Sequence, residues 1–158
     1  EMCIRDRKIT MSYPTVSNEM ARELAKFVIK SYTNGSKFDK WNQFNLEDKS
    51  IGIYYGINQN LGTDLTDEEL RNICNYPKAS RNQILMFKND INKGDWIIIG
   101  QGNEKSLYLA KIDSDYYYQE NESEPEEFYR HRRKITCIHK LPDDFVRKSS
   151  MYTVSKFN

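Results

Sequence analysis

The chain has 158 residues, 24 of them basic and 23 acidic, so its formal net charge is +1. Its length predicts one domain, because a single hydrophobic core typically serves about 100–200 residues. Aromatic residues make up 13% of the chain, a share typical of an ordered, soluble, globular protein rather than a disordered one. No window approaches the roughly 18 apolar residues of a membrane span, and no secretion signal is present.

Three cysteines, Cys3, Cys74 and Cys137, lie far apart and form no C-x-x-C pair. This spacing argues against a zinc knuckle or a disulfide scaffold and favours reduced thiols in the cytoplasm. The only two histidines, His131 and His139, do not form a ligand pair. We therefore expect no metal site, no cofactor and a cytoplasmic location.

The first predicted element follows a leader. Residues 1–10 show no periodicity and resemble sequencing read-through, so we expect a non-native or disordered leader, with a single domain over residues 11–158. Ser17 is suited to cap a helix, and apolar residues then recur with a 3.6-residue period up to a stop at Gly35. The pattern predicts one amphipathic helix over residues 18–33.

A polar, aromatic-bearing loop is expected over 36–50, followed by a strand over 51–57 in which apolar residues alternate with others. Thr66 and Glu69 form a capping-box pattern that predicts a short helix ending before Pro77. The segment that begins at Ser80 has the same capping-box pattern, and it predicts a helix through about Asn89.

The rest of the chain has the character of a β-sheet. Strands are predicted at Trp96–Ile99, Leu107–Ile112, Tyr116–Tyr118, Phe128–His139 and Met151–Phe157. Helices in the first half and strands in the second half predict an α+β fold, with the sheet curled into a small barrel flanked by helices.

Charge is divided sharply late in the chain. Residues 113–127 include seven acidic and no basic residues, and basic residues dominate from 128 onward. Arg130, Arg132 and Lys134 alternate along a predicted strand and would share one face, forming a basic ridge suited to phosphate oxygens. The alternative is that the acidic segment folds back and neutralises the ridge.

Aromatic residues are more numerous than a small core requires: Trp41, Tyr54, Tyr55, Trp96 and Tyr116–Tyr118. A base taken out of its stack is held between aromatic side chains and by hydrogen bonds to its edge, so these residues are candidates for a base pocket. For Trp96, which lies between apolar neighbours on its strand, a core position is favoured. Trp41 and Tyr55 are better candidates for a cage.

Catalytic patterns are weak. The sequence contains no G-x-S-x-G, no cysteine with a nearby histidine and no glycine-rich phosphate loop. Asp95, Asp113, Asp115 and Lys111 resemble the carboxylate set of a metal-dependent nuclease, but any acidic strand end offers as much. We therefore expect no enzymatic activity and keep cleavage as a less favoured alternative.

Four stretches resemble the EVE type of the PUA-like superfamily, which is related to YTH and ASCH domains. They are Ile53-Tyr54-Tyr55 with Asp64-Leu65-Thr66; Gly94-Asp95-Trp96-Ile97-Ile98; Ala110 to Tyr118; and His131-x-Arg133-x-Ile135-x-Cys137. The similarity covers about residues 38–157. Tyr54 and Tyr55 stand where the family has glycine and tryptophan, and Cys137 replaces a final tryptophan.

The resemblance implies a β-barrel with one deep pocket for a modified base. It places Trp41, Tyr54, Tyr55, Asp64, Trp96, Tyr116 and Tyr118 at the pocket, with His131 and Arg133 supporting it. It also implies a non-catalytic reader of a methylated base in restriction or phage defence, acting with an effector nuclease or NTPase domain. DNA is favoured over RNA as the partner, and no membrane is expected. A protein-interaction module without nucleic-acid binding is the alternative.

Overall fold

The computed structural model describes residues 13–31, 46–62, 64–102, 105–120 and 130–157. Within them the fold is α+β, as predicted. The helices are α1 (Asn18–Leu24), α2 (Asp67–Ile73) and α3 (Lys78–Leu85), and α3 continues into a π-turn at Met86–Asp90. The strands are β1 (Ala25–Ile29), β2 (Ser50–Ile53), β3 (Trp96–Gln101), β4 (Lys105–Ile112), β5 (Tyr117–Tyr118), β6 (His131–Lys140) and β7 (Val154–Lys156).

The strands form one mixed sheet in the order β2-β6-β4-β3-β1-β7, and β5 pairs with β6 beside this path. β1 runs parallel to β3, and the other paired strands are antiparallel. Among the described residues, β2 and β7 end this order and do not pair with each other, so a closed barrel is not confirmed.

Both faces of the sheet are covered by apolar residues. Ile97 and Ile99 of β3 point into the larger cluster with residues of α2 and α3, including Leu70 and Ile84. Ile98, between them, points to the opposite face, where Ala21 of α1 joins a second cluster. This alternation follows from the two-residue period of a strand.

The prediction of a helix over 18–33 is wrong for residues 25–31, and residues 32–33 and the stop at Gly35 lie outside the described residues. Ser17 caps α1 by accepting a hydrogen bond from the Met20 amide at 3.1 Å, as predicted. The chain becomes extended at Ala25, and β1 is buried along almost its whole length. Strands covered on both faces are continuously apolar, so the helical period of Phe27 and Val28 was misleading.

The prediction of a capped helix after Thr66 is confirmed. The Thr66 hydroxyl accepts from the Glu69 amide at 3.1 Å, and the Glu69 carboxylate accepts from the Thr66 amide at 3.1 Å. The prediction that Ser80 begins the next helix is wrong, because α3 begins at Lys78, directly after Pro77. Proline is favoured near a helix start, since its fixed φ suits the entry into the helix.

The predicted strands are present with altered bounds. The first ends at Ile53 rather than 57, because Tyr55 and Gly56 both have positive φ angles, 52° and 64°, in the turn that follows. The last strand is confined to Val154–Lys156. Among the described residues, no helix is long and apolar enough to cross a membrane.

Candidate functional site

A surface cleft lies between the turn after β2 and the end of α2. It has a volume of about 500 Å³ and is lined by residues 55–59 and 73–76. The rings of Tyr55 and Tyr76 stand edge to face, with centroids 5.9 Å apart. Asn58, Gln59 and Asn75 add amide side chains to the lining. The volume falls within the range of about 300–1,000 Å³ that is usual for small-molecule sites.

Hydrogen bonds hold Tyr55 in this cleft. Its hydroxyl donates to Gln83 Oε1 at 2.5 Å, and its carbonyl accepts a hydrogen bond from the Tyr76 hydroxyl. A positive φ is uncommon for a large side chain and persists where the surroundings determine it, often at ligand sites. The turn therefore positions an aromatic ring at the cleft at a cost in backbone strain.

Behind the cleft, His131 connects the segment after Ile57 to β5 and β6. Because a carbonyl can only accept, His131 Nε2 carries the hydrogen and donates to the Ile57 carbonyl at 2.7 Å. The other ring nitrogen, Nδ1, then accepts from the Tyr116 hydroxyl at 2.7 Å. That hydroxyl in turn accepts from the Leu61 amide at 3.2 Å. Two points of the 57–61 segment are thus tied to the sheet.

Burial shifts the pKa values of His131 and Tyr116. Burial lowers the pKa of His131, opposed by the hydrogen bond to Ile57, so the neutral ring is favoured. Burial also raises the pKa of Tyr116 to about 12, opposed by the Leu61 amide, so this hydroxyl remains protonated at neutral pH. Both states are those that the hydrogen-bond chain requires.

Arg133 supports the site from the same strand. Its Nε donates to the Ser114 carbonyl at 3.0 Å, and its Nη1 donates to the Phe87 carbonyl at 2.9 Å. The residue is only 2% exposed, and burial lowers the pKa of its guanidinium. It joins the π-turn after α3 to the segment that precedes β5. The supporting role that the resemblance implied for His131 and Arg133 stays a prediction.

The predicted pocket residues do not all meet at one place. Tyr55 lines the cleft, whereas the rings of Tyr116 and Tyr118 pack on His131, with centroids 5.9 and 5.1 Å away. Trp96 packs in the cluster on the other sheet face, with its ring centroid 6.2 Å from that of His139.

Two further pocket candidates are not brought together with the cleft lining. Tyr54 lies in the turn after β2, half-buried, and Asp64 is exposed with a φ of 51°. Neither residue lines the cleft. Trp41 lies outside the described residues.

The predicted basic ridge is not a row of exposed cations. Lys134 is exposed and its Nζ lies 5.5 Å from the centre of the Tyr117 ring. Arg130 is half-buried, and Arg132 is only 6% exposed because β2 and β5 pair with β6 on either side of it. Phosphate binding by these residues stays a prediction. Residues 121–127, which include four of the seven acidic residues of the segment proposed to neutralise them, lie outside the described residues.

One residue that lines the cleft and one that supports it were missed by the sequence analysis. Tyr76 forms one wall, and Gln83 is 8% exposed and fixes Tyr55. An aromatic residue between Asn75 and Pro77, at the end of a short helix, was the available signal for Tyr76. Gln83 carried no signal, because its partners are far away in sequence.

The remaining chemical features of the described residues are few. No group of three or more His, Cys, Asp or Glu among them is placed to hold a metal ion. Cys74 is a free thiol that lines the cleft and donates to the Leu70 carbonyl at 3.4 Å. Cys137, by contrast, is disulfide-bonded, so the expectation of reduced thiols is wrong for this residue.

Comparison with known proteins places the chain in a family. Residues 30–156 match the family described as Domain of unknown function (DUF8426). The chain is a member of the DUF8426 family. The DUF8426 match covers the cleft and β2 to β7 but begins just after β1, which lies between β3 and β7 in the sheet. No curated protein and no solved structure matches the chain.

Proposed function

We propose that this domain recognises a modified base in nucleic acid, without catalysing a reaction on it. The observation that carries the proposal is the cleft, in which two tyrosine rings stand beside amide side chains. Proteins that read unstacked bases use this combination, because aromatic faces stack on the base and polar groups pair with its edge. Asn and Gln amides are well matched to the edge of adenine.

The support of the cleft favours binding of a rigid, planar ligand. Tyr55 is fixed through Gln83, and the 57–61 segment is fixed through His131 and Tyr116. Side chains that are already held in place lose little conformational entropy on binding, which increases affinity. A preorganised cleft of this kind discriminates between bases that differ by one methyl group through shape.

The same proposal includes a PUA-like barrel as the fold. The similarity of four stretches to EVE-type domains supports a PUA-like barrel, with DNA favoured over RNA. It also supports a role in restriction or phage defence, beside an effector nuclease or NTPase domain. Irregular pairing in β1, β3 and β4 supports the barrel, because bulges bend strands and increase sheet twist.

The experiment is a binding panel of single- and double-stranded oligonucleotides that carry methylated or unmodified adenine or cytosine. Fluorescence anisotropy at low salt gives the affinity for each, and gel analysis of the same mixtures reports whether the strand is cut. We expect one modified oligonucleotide to bind at least tenfold more tightly than its unmodified counterpart, with no cleavage. Equal affinities across the panel would contradict the proposal.

A protein-interaction module is the second candidate. Val146 and Met151 are 68% and 78% exposed, and Tyr152 is 45% exposed. Apolar side chains on a surface are often buried by a protein partner. This candidate predicts no binding to any oligonucleotide even at low salt, which the same panel measures.

A further inference from the structure

A second groove lies along β7 and has a volume of about 500 Å³. It is lined by Val28 of β1 and by residues 147–152 and 155–157. The chain from 145 to 157 contains three basic and no acidic residues. Three serines, Ser149, Ser150 and Ser155, add hydroxyl groups to the lining. Cations and hydroxyl groups are the side chains that most often contact nucleic-acid phosphates.

Two of the cations are exposed. Lys148 and Lys156 approach the groove from the segment after Phe145 and from β7, and neither forms a side-chain ion pair with another described residue. Exposed lysines that are not engaged elsewhere can approach an anion without first breaking an ion pair. They therefore provide charge that a phosphate can use.

Two further cations hold the groove in shape. Arg147 is 6% exposed and donates to Ser106 Oγ at 2.9 Å and to the carbonyls of Gly102 and Lys105 at 3.2 and 2.9 Å. Its Nη2 lies 2.8 Å from the position that a Cβ would take at Gly100, so a larger residue there would displace the Arg147 guanidinium. The segment that carries Lys148 is thereby anchored to β3 and β4.

Lys30 anchors the other part of the groove wall. It is 6% exposed, and its Nζ donates to the Ser150 carbonyl at 2.7 Å. Burial, followed by the neighbouring Arg147 charge, lowers the pKa of Lys30. The two buried cations thus add positive potential beneath a surface that already presents Lys148 and Lys156.

One side chain connects the segment of the groove to that of the cleft. Gln83 Oε1 accepts from the Tyr55 hydroxyl at 2.5 Å and from the Thr153 amide at 2.7 Å. Tyr55 lines the cleft, and Thr153 follows directly after groove residues Met151 and Tyr152. The turn that carries Tyr55 and the segment that carries the groove residues are therefore joined through a single side chain.

We infer that the groove along β7 binds the phosphate backbone of the nucleic-acid strand whose base enters the cleft. The inference rests on the proposed function, and it moves the phosphate contacts from the ridge at 130–134 to Lys148 and Lys156. Tyr152, beside them, offers a ring on which a flanking base can stack. Contacts of this kind give affinity without sequence information.

The test compares three double variants in salt titrations with an unmodified single-stranded oligonucleotide and its modified counterpart. Lys148→Ala with Lys156→Ala removes the groove charges, and Arg130→Ala with Lys134→Ala removes ridge charges. Lys93→Ala with Lys140→Ala is the matched control, since both lysines are exposed and lie outside the groove. All three pairs change the net charge equally.

The groove variant should lower the slope of log affinity against log salt by up to about 1.4, since each phosphate contact on a single strand contributes about 0.7. The groove variant should bind the modified and the unmodified oligonucleotide more weakly by the same factor. The other two variants should leave the slope unchanged. An unchanged slope in the groove variant, or a loss confined to the ridge variant, would overturn the inference.

The outcomes separate the two proposals. If wild-type protein binds both oligonucleotides equally and the groove variant loses slope, the groove is retained and base recognition is rejected. If discrimination is seen but the groove variant keeps its slope, base recognition is retained and the groove is rejected. Absence of wild-type binding at low salt rejects both.

Discussion

In its neutral form, His131 links the cleft to the sheet as a donor at Nε2 and as an acceptor at Nδ1. With a hydrogen on Nε2 for the Ile57 carbonyl, the ring has one free lone pair, on Nδ1, for the Tyr116 hydroxyl. Protonation places a second hydrogen on Nδ1, so the hydroxyl can no longer donate there. Burial already disfavours that charged state and lowers the pKa of His131.

This linkage predicts acid sensitivity. Because the folded-state pKa lies below the unfolded value of about 6.5, the stabilisation by neutral His131 is complete above pH 6.5 and declines as the pH falls below it. The loss is at most about 1.4 kcal/mol for each pH unit. Urea unfolding at pH 7.5 and 5.5 measures it in wild type and in His131→Gln, which does not titrate. Equal pH dependence of the two proteins would contradict the role of His131.

Tyr76 is the residue whose ring is tested most simply. It is 36% exposed and is not part of the apolar core, so its removal leaves the fold intact. Stacking on one aromatic ring is worth about 1–3 kcal/mol, so Tyr76→Ala should reduce affinity for the modified oligonucleotide about ten- to a hundredfold. Tyr76→Phe keeps the ring and should retain most of that affinity. If both variants behave like wild type, Tyr76 does not contact the base.

Sequence alone identified some of these residues. Tyr55 could be predicted as a site residue from the sequence. It follows an apolar strand and lies near two glycines, which leave room for a ligand to approach. Trp96 was named among the pocket candidates, but the alternation of side chains on β3 directs it to the second core cluster. The link from Tyr55 through Gln83 to Thr153 depends on tertiary contacts across 28 and 70 residues, which local patterns do not encode.

Among the elements, α2 owes its start to a local signal. The reciprocal hydrogen bonds of Thr66 and Glu69 satisfy two backbone amides that a helix otherwise leaves unpaired. Thr66→Ala removes the hydroxyl acceptor and should destabilise the protein by about 1 kcal/mol, measured by urea unfolding.

Ser80→Ala is the matched control for this prediction. The sequence suggested Ser80 as a cap, but the residue lies inside α3, where alanine is the better helix former. We expect a change within about 0.5 kcal/mol, neutral or stabilising. A loss for Ser80→Ala equal to that for Thr66→Ala would show that capping does not explain either result.

The boundary between α1 and β1 shows where local patterns fail. Residues 18–24 form a helix as predicted, yet the same apolar spacing continues into Phe27 and Val28, which are in a strand. Pairing of β1 with β3 on one side and β7 on the other overrides the helical period. Both partners come from the far half of the chain, so no window around residue 25 contains the deciding information.

For the molecule as a whole, β1 is required although the family match begins after it. β1 separates β3 from β7, and its Phe27, Val28 and Ile29 are all at most 7% exposed. A chain of residues 30–158 should therefore lose cooperative thermal unfolding, measured by circular dichroism. Under reducing conditions, where Cys137 is a free thiol in both proteins, a chain that starts at Met11 should melt like the full chain. Cooperative unfolding of the shorter chain at the same temperature would contradict this account of the fold.

The α+β class and most strands followed from the sequence because their alternation is local. The strand order and the connection between cleft and groove through Gln83 could not be predicted from the sequence, because they depend on contacts between distant segments. The proposed function therefore depends on the assembled fold, to which the turn after β2, α2, α3 and β7 all contribute.

The central claim is that a modified base enters the cleft, and Cys74 reports on this directly. It is a half-buried free thiol in the lining, so a bound base should shield it from alkylation. Peptide mass spectrometry after brief treatment with iodoacetamide measures its labelling with modified, unmodified or no oligonucleotide. We predict that the modified oligonucleotide slows Cys74 labelling at least tenfold at a concentration where the unmodified one does not. Equal labelling under all three conditions, with the modified oligonucleotide shown to be bound, would contradict the claim.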